Sequence, residues 1–359
     1  MKLFSRNKKT KFKRVAVIGN YAKGMATLDG QTVKTRIIMN ELCKQLGASN
    51  VRSFDTTGGW HTLFKAPLMA IRALIWSNDV VILPAHNAVR VFVPLLVFLQ
   101  LAFKKRKVHY VVIGGWLPTF IKNKTILRYC LRHLYMIYAE THSMVQDLQK
   151  EGYQNVVYMP NCKPLHIVNK EEMPANYQMP YRICTFSRVG RLKGIADAVE
   201  TVQWVNNKLG KEFYKLDIYG KVEQCDKDWF ANLQKTFGDS VRYIGVVPFD
   251  KSVETLKDYF FLLFPTKYLT EGIPGTIIDA YAAGLPVVSS LYANFDEIVC
   301  EGLTGYGYEF DNIEALKRLL LKIAESPQMI LHLKKNCTNE AKKYLPENVM
   351  DILVNNINS

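Results

Sequence analysis

The chain has 359 residues, of which 48% are hydrophobic and 22% charged, with a formal net charge of +15. That balance excludes a disordered or fibrous protein and allows about two domains, each with its own core. Seven cysteines, odd in number, scattered and never in a CxxC pair, argue against a disulfide framework or a zinc site and for reduced thiols.

The opening stretch MKLFSRNKKTKFKR is basic but has no apolar core of the kind a secretion signal needs. The strand KRVAVIGN ends at Gly19, and a loop with Gly24 and DGQ (29–31), which includes Gly30, leads to a helical pattern over 32–46. NVRSFDT, DVVILPA, VHYVVIGG and NVVYMPN read as further buried strands separated by amphipathic segments. The apolar stripe at 63–76 reads as core, or else as the border of a lipid-linked acceptor's path. The apolar run at 89–103 contains Arg90 and Pro94 and is short for a membrane span, so it reads as a buried or membrane-facing helix. Residues 163–181 carry three prolines and no period, which places a linker at 166–180.

The alternation then restarts. RICTFSRV, YKLDIYG, VRYIGVV, YFFLLFPT and GLPVVSS read as strands, with helices at 195–209, in WFANLQKTFG and in IIDAYAAG. Strand–helix alternation in both halves predicts an α/β chain of two Rossmann-like domains, 1–165 and 181–345, with a cleft between them. The last residues, 346–359, are expected to form a helix that can return to the first domain.

Charge is divided unevenly between the halves. Residues 1–180 hold 26 Lys/Arg against 9 Asp/Glu, and the remainder holds 21 against 23. Basic clusters such as RNKKTKFKR and KKRK (104–107) adjoin apolar segments, which points to an anionic membrane surface as a partner. No RRM, KH or zinc-finger pattern is present, so nucleic acid is not expected as a partner.

Two motifs carry chemistry. In SRVGRLKG (187–194), Arg188 and Lys193 lie in a loop entering a helix, with Gly190 and Gly194 allowing tight turns. Two cations near a helix N-terminus suit a diphosphate; Arg191 is a third candidate, and a solvated basic turn is the plainer reading. In EGIPGTIID (271–279), Gly272, Ile273, Pro274 and Gly275 make a turn and Thr276 and Ile277 begin a helix, whose N–H groups at 276–278 are expected to be free for an anion. Glu271 and Asp279, eight residues or about 12 Å apart if helical, match the ends of a nucleotide sugar. Each carboxylate offers two acceptors, Glu271 for sugar hydroxyls and Asp279 for ribose.

The order S-R-x4-K-G, then LDIYGK, VRYIG and FPTKYLTEGIPGTIIDAYAAGLPVVSS resembles retaining glycosyltransferase family four, whose fold is GT-B. The first half matches more weakly, through its Gly-rich loop, ETHSM (140–144) and PN (160–161). The resemblance implies that Arg188 and Lys193 hold the donor diphosphate and that Glu271 holds the sugar. It places Asp279, one methylene shorter than the family's second glutamate, on the ribose, and backbone near Gly220 and Lys221 at the base. It implies hexosyl transfer from a nucleotide-diphosphate sugar with retention, and neither an essential metal nor another cofactor. The acceptor would be a glycan, polyprenyl-linked, in bacterial capsule, exopolysaccharide or lipopolysaccharide assembly. The site of action would be the cytoplasmic face of the plasma membrane.

The family's N-domain histidine is absent: Gly114, Gly115 and Trp116 stand there on the acceptor side, so no general base is assigned. His86 and His142 are alternatives near the expected cleft. DKD (226–228) matches the metal motif of a different glycosyltransferase fold, but reads here as a capping or surface feature. Two other functions compete: a sugar-nucleotide epimerase of the same architecture, and a non-catalytic polyanion- or membrane-binding protein.

Overall fold

The computed structural model describes residues 13–22, 30–58, 60–174 and 176–359. The basic run before residue 13 and the turn at Gly24 lie outside the described residues.

Continuous apolar runs become strands buried on both faces, which is what parallel sheets covered by helices require. The first sheet contains β1 (Val15–Gly19), β2 (Val51–Asp55), β3 (Asp79–Leu83), β4 (Lys107–Val111), β5 (Met136–Ala139) and β6 (Val156–Tyr158). Its order is β2-β1-β3-β4-β5-β6, parallel throughout, with Val15 in register with both Val51 and Asp79. The second sheet contains β7 (Tyr181–Phe186), β8 (Tyr214–Tyr219), β9 (Val241–Gly245), β10 (Leu262–Phe264), β11 (Val287–Ser290) and β12 (Gly305–Tyr308). Its order is β12-β11-β10-β7-β8-β9, again parallel.

Each order reverses once, between β1 and β3 and between β7 and β10. Loops leaving the carboxyl ends of such a pair diverge and open a crevice. The loops after β7 and β10 are those that carry Arg188, Lys193 and Glu271.

Leu165, Ile167, Val168 and Met173, around the expected linker, pack on the second domain's core. The C-terminal helix Asp351–Asn358 crosses back, so that Leu353 and Ile357 share a core cluster with Val15, Ile38 and Val81. The apolar stripe at 63–76 divides. Helix Trp60–Trp76 buries Ala66, Ala70, Ala73 and Leu74 in the core but exposes Phe64, Leu68 and Ile75, so the reading as core holds for one side of the stripe and fails for the other. Small alanines let the helix lie close on the sheet and leave its bulkier side chains outward. Helix His86–Gln100 buries Phe92, Val93 and Leu96 beside it.

Candidate functional site

A cleft of about 610 Å³ separates the domains, in the size range of small-ligand sites. Gly30, Lys34 and Lys163 line it from the first-domain side, facing Arg188, Gly220, Thr276 and Asp279.

Glycine sets the second domain's wall. Gly220 has φ 128°, and a Cβ there would run into the Ser187 carbonyl, so the turn after β8 lies directly on the loop after β7. Gly194 has φ 66° and meets the Pro265 carbonyl in the same way, which docks the SRVGRLKG loop on the loop after β10. This contact brings Lys193 to Glu271: the two form an ion pair, and Thr266 Oγ1 also donates to Glu271 Oε1 at 2.8 Å. Arg188, largely exposed, pairs with Glu223 at 2.9 Å.

Arg191 does not join them. Its backbone N–H and Nε donate to Asp226 at 2.9 and 3.1 Å, and its guanidinium lies over Trp229. Asp226 of the DKD stretch therefore anchors the basic loop. Ligand atoms of Glu223, Cys225 and Asp226 lie within 4.8 Å of one another, but both carboxylates already hold arginines.

Helix Gly275–Ala282 begins on the turn, and Thr276 Oγ1 donates to the Phe186 carbonyl. Its N–H groups are not all free, contrary to expectation: those of Ile277 and Ile278 donate to Pro274 O at 3.0 and 3.4 Å. Among the described residues, the N–H groups of Gly275 and Thr276 make no such hydrogen bond. Asp279 lines the cleft but is only 4% exposed, and it pairs with Lys163 at 2.5 Å. Burial raises its carboxyl above the usual range; Lys163 and the Ser252 hydroxyl oppose the shift without cancelling it.

The first domain supplies a second buried pair, Lys34–Glu140, in which Lys34 Nζ also donates to Val112 O at 2.9 Å. Glu140 belongs to ETHSM, and its other oxygen accepts from the N–H of Ile273, inside the turn that follows Glu271, at 3.3 Å. Gly272 sits against Glu140 and Gly114, where a side chain would collide with both. A Cβ on Gly115 would fall 2.8 Å from Thr270 O and 2.9 Å from Glu271 O. Gly114 and Gly115 are thus the surface on which the Glu271 loop rests. Trp116 is buried, stacks on His86 at 3.8 Å and donates to Ile113 O at 2.6 Å. Partial burial in that stack lowers the His86 imidazole below its usual range.

His142 stacks on Tyr158 at 3.7 Å, and its backbone does the interdomain work. The N–H groups of His142 and Ser143, at the start of helix His142–Lys150, donate to Glu297 of the second domain at 2.5 and 2.7 Å. Ser143 Oγ donates to Asn294 at 2.6 Å, and Asn294 Nδ2 donates to the Glu271 carbonyl at 2.5 Å. A chain of hydrogen bonds thus runs from the first domain to the backbone of Glu271. Lys34, Lys163, Asn294 and Glu297 escaped sequence reasoning. The flagged segments ETHSM and PN lie next to two of their contacts, but no local pattern marks the partners themselves.

Residues 169–344 match the family described as glycosyl transferases group 1. The amylovoran biosynthesis glycosyltransferase AmsK of Erwinia amylovora is 27% identical over 150 residues, which are 41% of this chain and 36% of that protein. An uncharacterized glycosyltransferase of Methanocaldococcus jannaschii is 22% identical over 275 residues, 70% of this chain and 67% of that one. The crystal structure of Anabaena HepE in complex with UDP aligns with a TM-score of 0.72 at 11% identity, covering 95% of this chain and 98% of that one. The architecture is the GT-B fold.

Proposed function

We propose that the chain, whose residues 169–344 match the group 1 glycosyl transferases, is a retaining hexosyltransferase. It takes a sugar from a nucleotide-diphosphate donor and places it on a glycan acceptor. One observation carries this reading: two loops leaving a topological switch point bring Lys193 against Glu271, beside a cleft that Arg188 and Asp279 line. Cations and carboxylates thus stand together at the cleft and beside it.

In the reaction, Arg188 and Lys193 hold the donor diphosphate and stabilise the charge that grows on it as the anomeric carbon–oxygen bond breaks. Glu271 accepts hydrogen bonds from sugar hydroxyls, and Asp279 faces the ribose. The acceptor hydroxyl attacks from the face that the diphosphate leaves. Its proton passes to a leaving phosphate oxygen, so the new bond keeps the original configuration, and positioning supplies most of the rate. No metal is assigned a role.

The relatives support the pathway and the donor class: one is named for amylovoran biosynthesis and another holds UDP. The acceptor is then a saccharide in bacterial surface-polysaccharide assembly, carried on a lipid and met at the cytoplasmic face of the membrane. Among the described residues, no helix is long and apolar enough to cross a membrane.

Thermal unfolding with UDP, GDP, dTDP, ADP and CMP tests the donor site. A nucleotide at a hundred times its Kd adds about 2.7 kcal/mol, roughly 5–10 °C for domains of this size. That shift should vanish in Arg188→Ala/Lys193→Ala. A folded protein that no nucleotide stabilises, or a double variant that shifts like the parent, overturns the assignment.

A further inference from the structure

Helices Trp60–Trp76, His86–Gln100 and Thr125–Arg132 lie side by side on the first domain. All three, or the turn that follows one of them, point large apolar side chains at solvent. Phe64, Leu68 and Ile75 stand on the first helix, Phe98 and Leu101 on or after the second, and Ile126 on the third; Phe64 is 85% exposed and Leu101 72%. Spacings of four and seven residues put Phe64, Leu68 and Ile75 on one side of their helix, along about 16 Å. A group of this size outside a core marks a contact surface.

The charge around this face is of one sign. Residues 56–139 contain eleven Lys/Arg and a single acid, Asp79, which is buried and bonded to His109. Among the described residues, Arg128 alone of the eleven has a carboxylate partner. Lys65, Arg72, Lys104, Lys105 and Lys122 are exposed among the apolar side chains. At one edge, Arg14 lies over Trp76, next to Ile75.

We infer that this face is the protein's docking surface for an anionic lipid bilayer. Apolar side chains standing among cations need a partner that is negative at its surface and apolar just beneath, and an anionic bilayer is both. A second copy of the chain cannot supply this, because two faces without an exposed acid would repel. For the proposed transfer to a lipid-linked acceptor, on which the purpose of this surface rests, docking holds the cleft beside the layer that carries the acceptor. The start of helix Trp60–Trp76 follows the carboxyl end of β2, on the cleft side of the sheet.

Flotation of the full chain with phosphatidylcholine vesicles, with and without phosphatidylglycerol, tests the inference. Binding should rise about tenfold or more with the anionic lipid and fall with added salt. Phe64→Ser/Leu68→Ser/Leu101→Ser and, separately, Lys65→Glu/Arg72→Glu/Lys105→Glu should each lower it about tenfold or more. Both variants should keep the nucleotide-induced thermal shift, which shows that they are folded and reads the donor site separately. Equal binding to both vesicles, full binding by either variant, or a dimer in solution that the serine variant abolishes overturns the inference. Vesicle binding without any nucleotide shift would support docking while overturning the proposed donor site.

Discussion

Replacing Glu297 by alanine removes two of the three hydrogen bonds that join the second domain to the helix at His142, leaving Ser143 Oγ on Asn294. The carboxylate accepts from two backbone N–H groups, at 2.5 and 2.7 Å, and offsets the positive end of that helix. A hydrogen bond to a charged group contributes about 1.5–3 kcal/mol, but this site is partly open to water, so about 2 kcal/mol for both together is the better figure. Because the contact crosses between domains, its loss bears on closure and leaves each domain's core intact. About 2 kcal/mol is a factor of roughly 30 in the ratio of closed to open forms. If the parent holds that ratio at about 10, the closed fraction falls roughly fourfold; at about 1 it falls roughly fifteenfold. Turnover should drop by a factor between these, read as nucleoside diphosphate released from the donor sugar with water as acceptor. Small-angle scattering should show a larger radius with UDP bound than the parent has. The melting temperature should move by no more than a few degrees. Turnover within twofold of the parent, or a loss explained by a large fall in melting temperature, refutes the closure argument.

Two further outcomes follow from buried charges. Asp279→Asn leaves Lys163 without its counter-charge at a buried site, and breaking such a pair costs about 3–5 kcal/mol. Lys163→Met/Asp279→Asn removes both charges, so it should recover most of that loss in thermal unfolding; strictly additive effects would show that the pair is not coupled. Lys334 is the second case: burial lowers its ammonium to about 7, while Cys337 and Cys184 oppose the shift and its Nζ donates to Tyr259 O. The unfolded value lies near 10.4, so the unfolded chain holds more protons between about pH 7 and 10 and stability should rise with pH across that window. Below pH 7 the penalty is present in full. Lys334→Met should raise the melting temperature at pH 7 and flatten the rise, and a slope equal to the parent's would refute the assignment.

What was legible in the sequence is what each segment settles by itself. VAVIG and DVVIL read as buried strands because a parallel sheet covered on both faces needs apolar residues at consecutive positions. Gly220 and Gly194 stood out because each follows a strand or a basic turn, and in the fold each lets one loop lie on another's backbone. The apolar stripe at 63–76 reads as core or as a border, but which of its residues face inward was not legible. Hydrophobicity ranks Phe64 above Ala66, whereas close packing against the sheet selects the alanine. The ion-pair partners were illegible for another reason. Lys163 and Asp279 are 116 positions apart, Lys34 and Glu140 106, and Glu297 and His142 155. Topology brings these together, and no property of either neighbourhood announces it.

The pairs around the cleft also differ in how readily a donor can draw on them. Lys34–Glu140 and Lys163–Asp279 are nearly inaccessible to water, so separating either would strand a buried charge. Arg188 is 60% exposed, and its partner Glu223 can be resolvated when a diphosphate takes the guanidinium. Lys193–Glu271 lies between these extremes, at 14% and 12% exposure. Under the proposed reaction, that pair joins the two groups that must meet opposite ends of one bond, Lys193 the departing phosphate and Glu271 the sugar. A diphosphate drawing Lys193 away leaves Glu271 with unsatisfied acceptors at the place where the sugar hydroxyls arrive. Those hydroxyls supply the missing donors, and a free nucleoside diphosphate does not. Under that reaction, partner exchange at this half-buried pair ties recognition of the sugar to recognition of the phosphate, and Asn294, bonded to the Glu271 carbonyl and to Ser143 Oγ, connects that exchange to the first domain.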